Sequence, residues 1–211
     1  MVRVKICGVT SVEEALAAVE AGADALGLNF YPPSPRALDL STAQAICRAL
    51  PPFVVRVGVF VDQPAAKMME VAATCGLDCL QLHGAEPPET GEVLRPRRVI
   101  KAFRLRTEED LERLWPYVGA VDAFLLDAYV PGQPGGTGQT FDWALAVEAQ
   151  QRFPAVPVIL AGGLTPENVA RAVRQVQPYA VDVASGVERP PGRKDPAKMR
   201  AFVRRAKGEE S

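Results

Sequence analysis

Eight short apolar runs, each followed by a stretch with helix-start signals, recur along the whole 211-residue chain. The runs are Val2–Cys7, Ala23–Phe30, Phe53–Val61, Leu77–Leu82, Arg98–Phe103, Asp122–Leu126, Pro157–Ala161 and Ala180–Ala184. They read as apolar on both faces, the pattern of parallel strands covered by helices. Ser11 caps the first helix, with Glu14 completing a capping box. Ser41 or Thr42 starts the second, Pro64 sits at a first-turn position, and Thr107 with Asp110 opens another. Phe141 or Asp142, then Thr165-Pro166-Glu167 and Asp195-Pro196, start the last three. Such a chain can wind into an open sheet or close on itself. Eight units is the barrel count, and no GxGxxG follows the first strand. The expected fold is α/β, a single-domain (β/α)8 barrel over residues 1–211, with 208–211 a frayed tail.

A faint repeat supports pairing of the units. Gly22-x-Asp24, Gly76-x-Asp78 and Gly119-x-x-Asp122 lead into strands two, four and six. Composition removes several function classes. The net charge is −1, so no global field draws nucleic acid or an anionic membrane. No apolar run approaches the ~20 residues that span a bilayer. The first strand starts at once, with no basic-then-apolar leader, so a cytoplasmic location is expected. Cys7, Cys47, Cys75 and Cys79 fit neither a disulfide framework nor a CxxC pair, and reduced thiols are expected. With His83 the only histidine, no metal site is expected.

In a βα barrel, chemistry sits where strands end and helices begin. There stand Cys7, Arg36, Gln81 and His83, Asp127, Gly162-Gly163 and Ser185-Gly186. The glycines after strands seven and eight let backbone N–H groups approach an anion, the arrangement barrels use for phosphate; taken singly, each is only a tight turn. Asp127 ends an apolar strand, where its charged form is disfavoured and a proton can be donated. The alternative ties it to backbone N–H groups of Gly135-Gly136-Thr137-Gly138. Arg36, behind the stiff Pro32-Pro33-Ser34-Pro35, suits a carboxylate or is a solvated surface side chain. His83 suits hydrogen bonding or packing, since nothing nearby in sequence orients it as a base. Cys7 alone reads as a core cysteine; its position on this rim makes it a candidate base.

Together, Lys5-Ile6-Cys7-Gly8, Ser34-Pro35-Arg36, Gly58-Val59-Phe60-Val61, Gln81-Leu82-His83-Gly84, Leu126-Asp127, Gly135-Gly136-Thr137-Gly138, Ala161-Gly162-Gly163-Leu164, Asp182–Glu188 and Gly192-Arg193-Lys194-Asp195 resemble the phosphoribosylanthranilate isomerase family of tryptophan biosynthesis. Ala184 departs from the family's usual second serine. The resemblance implies a TIM barrel that needs no cofactor and converts phosphoribosylanthranilate to the 1-deoxyribulose phosphate by an Amadori rearrangement. It implies Asp127 as general acid, Cys7 as general base, Arg36 on the anthranilate carboxylate, and Gly162, Gly163, Ser185 and Gly186 as the phosphate cradle. Asp182 and the Gly135–Gly138 loop fall near the substrate by the same likeness. A homodimer is one of several assembly states the family implies. The histidine-pathway isomerase is disfavoured because its first-strand base is an aspartate and its substrate carries two phosphates. A metal-dependent epimerase lacks ligands here, and a non-catalytic phosphate-binding barrel would not need both Cys7 and Asp127.

Overall fold

The computed structural model describes residues 1–128 and 143–209. Strands β1 (Arg3–Cys7), β2 (Ala25–Asn29), β3 (Val55–Phe60), β4 (Cys79–Leu82), β5 (Arg98–Leu105), β6 (Ala123–Ala128), β7 (Val158–Leu160) and β8 (Ala180–Val183) form one closed barrel in chain order. All eight pairings are parallel, and β1 closes on β8 with Lys5 opposite Asp182. Helices α1 (Val12–Glu20), α2 (Leu40–Ala49), α3 (Ala65–Cys75), α4 (Pro88–Val93), α5 (Trp143–Arg152), α6 (Val169–Val176) and α7 (Pro196–Lys207) follow seven of the strands. The expected helix after Thr107 is instead a 3-10 helix, Glu108–Tyr117, which contains Pro116. That proline removes an N–H and crowds the preceding turn, which weighs against a regular α-helix. The proposed starts at Phe141 or Asp142 and the Gly135–Gly138 loop lie outside the described residues.

Alternation along each strand decides what faces the lumen. Val57, Cys79, Ile100, Ala102, Ala123, Leu125, Ile159, Ala161 and Ala180 pack together inside the barrel. Their strand neighbours, including Val4, Ile6, Leu80, Leu82, Phe124, Leu126, Val181 and Val183, pack outward under the helices. The same parity turns Lys5, Cys7, Gln81, Arg104, Asp127 and Asp182 inward. The lumen is therefore apolar at one end and polar at the other. Period two was hidden in the sequence because both faces of the lower strands are buried and apolar.

The Gly-x-Asp repeat has a physical role. Asp24, Asp78 and Asp122 accept hydrogen bonds from the backbone N–H of Val4, Arg56 and Val99 at 2.8–2.9 Å. Each carboxylate before an even strand thus satisfies an orphan donor at the start of the preceding odd strand. The capping box at α1 forms only in part. Ser11 Oγ accepts from Glu14 N, but the Glu14 carboxylate binds Thr10 and reaches Lys194 N. It ties α1 to the loop after β8, which outweighs the local reciprocal bond. Gly208 ends α7 in the left-handed conformation, and Glu209 N–H bonds Arg204 O, so the first two residues of the expected tail are held by the cap. Among the described residues no helix is long and apolar enough to cross a membrane.

Candidate active site

The strand ends enclose a cavity of about 410 Å³. Of the site residues expected from the sequence, those within the described residues line it: Cys7, Arg36, Asp127, Gly162, Gly163, Asp182, Ser185 and Gly186. Cys7 and Asp127 are 120 positions apart in the chain, yet in the closed barrel β1 and β6 are separated only by β8 and β7.

Cys7 sits opposite Gly27 in the β1–β2 register. Gly27 has no side chain where one would collide with the thiol; a Cβ there would lie 2.6 Å from Cys7 Sγ. Burial pushes the thiol above its ordinary value, Lys5 pulls it down, Asp182 pushes it up, and Lys194 again pulls it down. Lys5 Nζ donates to Asp182 Oδ1 at 2.8 Å, almost wholly buried. Burial opposes the Lys5 ammonium, but Asp182 and Cys7 outweigh it and hold its pKa above the lysine norm. Lys5 is therefore a fixed cation beneath the thiol.

Asp127 is 5% exposed. His83 Nε2 lies 3.6 Å from Asp127 Oδ2, a contact rather than a hydrogen bond. His83 Nδ1 pairs with the Gln81 side-chain amide at 2.9 Å. This fits the hydrogen-bonding role expected of His83, and its partner is the residue two positions back, which strand parity places on the same face. Arg104 is a further site residue, beyond the Phe103 end expected for the fifth strand. The strand runs two residues further, placing Arg104 opposite Asp127 on β6. Its Nε is buried without a hydrogen-bond partner among the described residues, and its side chain lines the cavity. A polar residue after Ile100 and Ala102 at period two was the available signal.

Arg36 is not a solvated surface residue. Its side chain is 13% exposed and it clamps Glu188 through Nε and Nη2 at 2.8 and 2.9 Å. The loop that carries it is braced by Asn29, which accepts from Tyr31 N and donates to Ser34 Oγ. On the far side, Gly162 and Gly163 have φ of 80° and 65°, conformations that glycine adopts freely. Asn168 braces that turn by donating to Gly163 O and accepting from Thr165 N. Gly186 lies in the 3-10 turn Ser185–Val187, where a Cβ would fall 1.9 Å from Leu164 O. The turns after β7 and β8 are thus packed backbone to backbone, with side chains kept out.

A barrel whose strand ends gather a thiol, a buried carboxyl, cations and two glycine turns into one cavity is of the class of βα-barrel enzymes acting on phosphorylated small molecules. The family model for N-(5'-phosphoribosyl)anthranilate (PRA) isomerase matches residues 4–205. The chain belongs to that family. An N-(5'-phosphoribosyl)anthranilate isomerase from Geobacter metallireducens is 56% identical over 98% of this chain and 100% of its own. The phosphoribosyl anthranilate isomerase of Thermotoga maritima superposes with a TM-score of 0.92 at 46% identity, covering 99% of this chain and 100% of that one. A phosphoribosyl anthranilate isomerase solved in complex with reduced 1-(o-carboxyphenylamino)-1-deoxyribulose 5-phosphate has a TM-score of 0.88 at 44% identity, covering 99% of this chain and 100% of that one.

Proposed function

We propose that this chain, as one catalytic barrel, isomerises N-(5'-phosphoribosyl)anthranilate to 1-(2-carboxyphenylamino)-1-deoxyribulose 5-phosphate, with Asp127 as general acid and Cys7 as general base. The observation that carries the assignment is the placement of both groups on the rim of one cavity, beside the glycine turns after β7 and β8. Asp127 protonates the furanose ring oxygen as the C1'–O bond breaks, and the anthranilate nitrogen lone pair forms the Schiff base. The Cys7 thiolate removes the C2' proton, giving the enolamine. Reprotonation at C1' and loss of the hydroxyl proton at C2' yield the ketone, with no net redox change. Protons move and nothing is transferred to sulfur, so Cys7 is a proton carrier rather than a covalent nucleophile.

Gly162, Gly163, Ser185 and Gly186 cradle the phosphate through backbone N–H groups and the Ser185 hydroxyl. Arg36 shares Nε and Nη2 with Glu188 and offers Nη1 to the anthranilate carboxylate. Asp182 acts through Lys5, keeping the ammonium under the thiol. The working location is the cytoplasm, in keeping with four free thiols. Phe53 is 95% exposed just before β3, at the barrel end opposite the cavity, and supports pairing of two copies there.

Cys7→Ser and Asp127→Asn test the assignment. Each is expected to lower kcat by about 10²–10⁴-fold with little change in binding of the reduced product analogue. Loss of anthranilate-type fluorescence follows turnover. Near-normal kcat in both variants refutes the assignment, as does a covalent adduct trapped on Cys7 during turnover.

A further inference from the structure

We propose that Glu188 is a positioning residue of this reaction: it locks Arg36 and Lys194 into one buried cluster, fixing the carboxylate-binding arginine relative to the turn after β8. The inference rests on the isomerase reading above for the identity of the ligand.

Glu188 is 4% exposed and accepts four hydrogen bonds. Oε1 takes Arg36 Nε and Lys194 Nζ, both at 2.8 Å. Oε2 takes Arg36 Nη2 at 2.9 Å and Gly192 N at 3.2 Å. Lys194 Nζ also donates to Ala184 O at 3.0 Å, immediately before Ser185-Gly186. The Lys194 side chain is fully buried. One carboxylate therefore spans the loop after β2, the turn after β8 and the approach to α7. The arginine stem is fixed at a second point. A Cβ on Gly8 would lie 2.4 Å from Arg36 Cδ, so the stem lies directly over the residue after Cys7.

Arg36 and Lys194 face one carboxylate: burial opposes Glu188's charge but the two cations hold it ionised, while burial pulls Lys194 below the lysine norm with Glu188 opposing. The groups facing Cys7 are Lys5 from β1, Asp182 from β8, and Arg36 and Lys194 from the two loops. Glu14 of α1 accepts from the Lys194 backbone N–H, and Lys198 Nζ of α7 donates to the Glu188 carbonyl rather than to its carboxylate. Among the described residues, Glu188 is the carboxylate hydrogen-bonded to both of these loop cations. It has no place in the proton transfers themselves. Its role is to present Arg36 in one geometry and to set the field that the loops impose on the thiol.

The test uses the full chain with Glu188→Asp and Glu188→Gln. Two probes are titrated: reduced 1-(o-carboxyphenylamino)-1-deoxyribulose 5-phosphate and its analogue lacking the aromatic carboxyl. Aspartate keeps the charge but cannot reach Arg36 and Lys194 together; glutamine loses two acceptor positions and the charge. Both variants are expected to bind the carboxylated probe about 10–100-fold more weakly, in line with loss of charge-assisted hydrogen bonds, and the decarboxylated probe within a few-fold. KM rises more than kcat falls. The acid limb of kcat/KM is expected to move down by about half to one pH unit in Glu188→Gln and to stay in place in Glu188→Asp. Equal loss on both probes, or no loss on either, overturns the inference. If Glu188→Gln fails to fold, Glu188→Asp carries the same binding comparison. A wild-type chain that does not turn over phosphoribosylanthranilate refutes the isomerase reading instead, which separates the two failures.

Discussion

Gly27→Ala is a single methyl placed against the proposed base. The added Cβ would sit 2.6 Å from Cys7 Sγ, 3.0 Å from Cys7 Cα and 3.2 Å from Cys7 Cβ. Ordinary carbon–sulfur contact needs about 1 Å more than the first of these, on the scale of van der Waals optima. Rotating the thiol away does not relieve the contact to Cys7 Cα, so β1 and β2 must also separate slightly. Overpacking of this kind costs about 1–3 kcal/mol of stability. The catalytic cost is larger. A base displaced by about 1 Å from its proton loses on the order of 10² in kcat. Gly162, Gly163, Ser185 and Gly186 lie on the turns after β7 and β8, away from the β2 strand that changes, so affinity for the reduced product analogue is expected to hold within about threefold. Fluorescence decay of phosphoribosylanthranilate gives kcat, and urea denaturation gives stability. A variant with wild-type kcat and a stable fold would show that the thiol's position is not used, refuting Cys7 as the base.

Burial pushes the Cys7 thiol up, with Lys5 and Lys194 only partly opposing it. The thiolate is the active form, so kcat/KM is expected to climb through neutrality and still rise between about pH 7 and 9. A plateau reached below neutrality would refute this; Lys5→Met should move the limb further up. Arg104→Gln is expected to raise KM about tenfold, with stability changed by less than about 1 kcal/mol, because its buried Nε has no hydrogen-bond partner among the described residues. An unchanged KM would remove Arg104 from the substrate site. Glu86→Ala breaks a pair with Lys101 in which both side chains are 3% exposed, and strips the acceptor from Asp62 N and Gly84 N. A loss of about 3–5 kcal/mol is expected by chemical denaturation, and a loss below about 1 kcal/mol would contradict the buried-pair account.

The amino-acid sequence by itself determined the order of elements, the barrel, and the residues at the strand ends. Those follow from local causes: apolar runs of strand length, caps such as Ser11 and Asp195, and glycines where the backbone turns. It also held the Gly-x-Asp repeat, though not its purpose, because the N–H that each aspartate satisfies belongs to a strand about 20 residues earlier. Tertiary structure alone decided the rest. Strand parity in the closed barrel turned Arg104 and Gln81 into the cavity, and the register set Gly27 against Cys7. It also removed Arg36 from solvent by pairing it with Glu188, 152 positions away. Ion pairs, steric vacancies and the field at a thiol depend on distances between segments remote in the chain. A sequence names those partners, but only closure of the barrel brings them within 3 Å of one another.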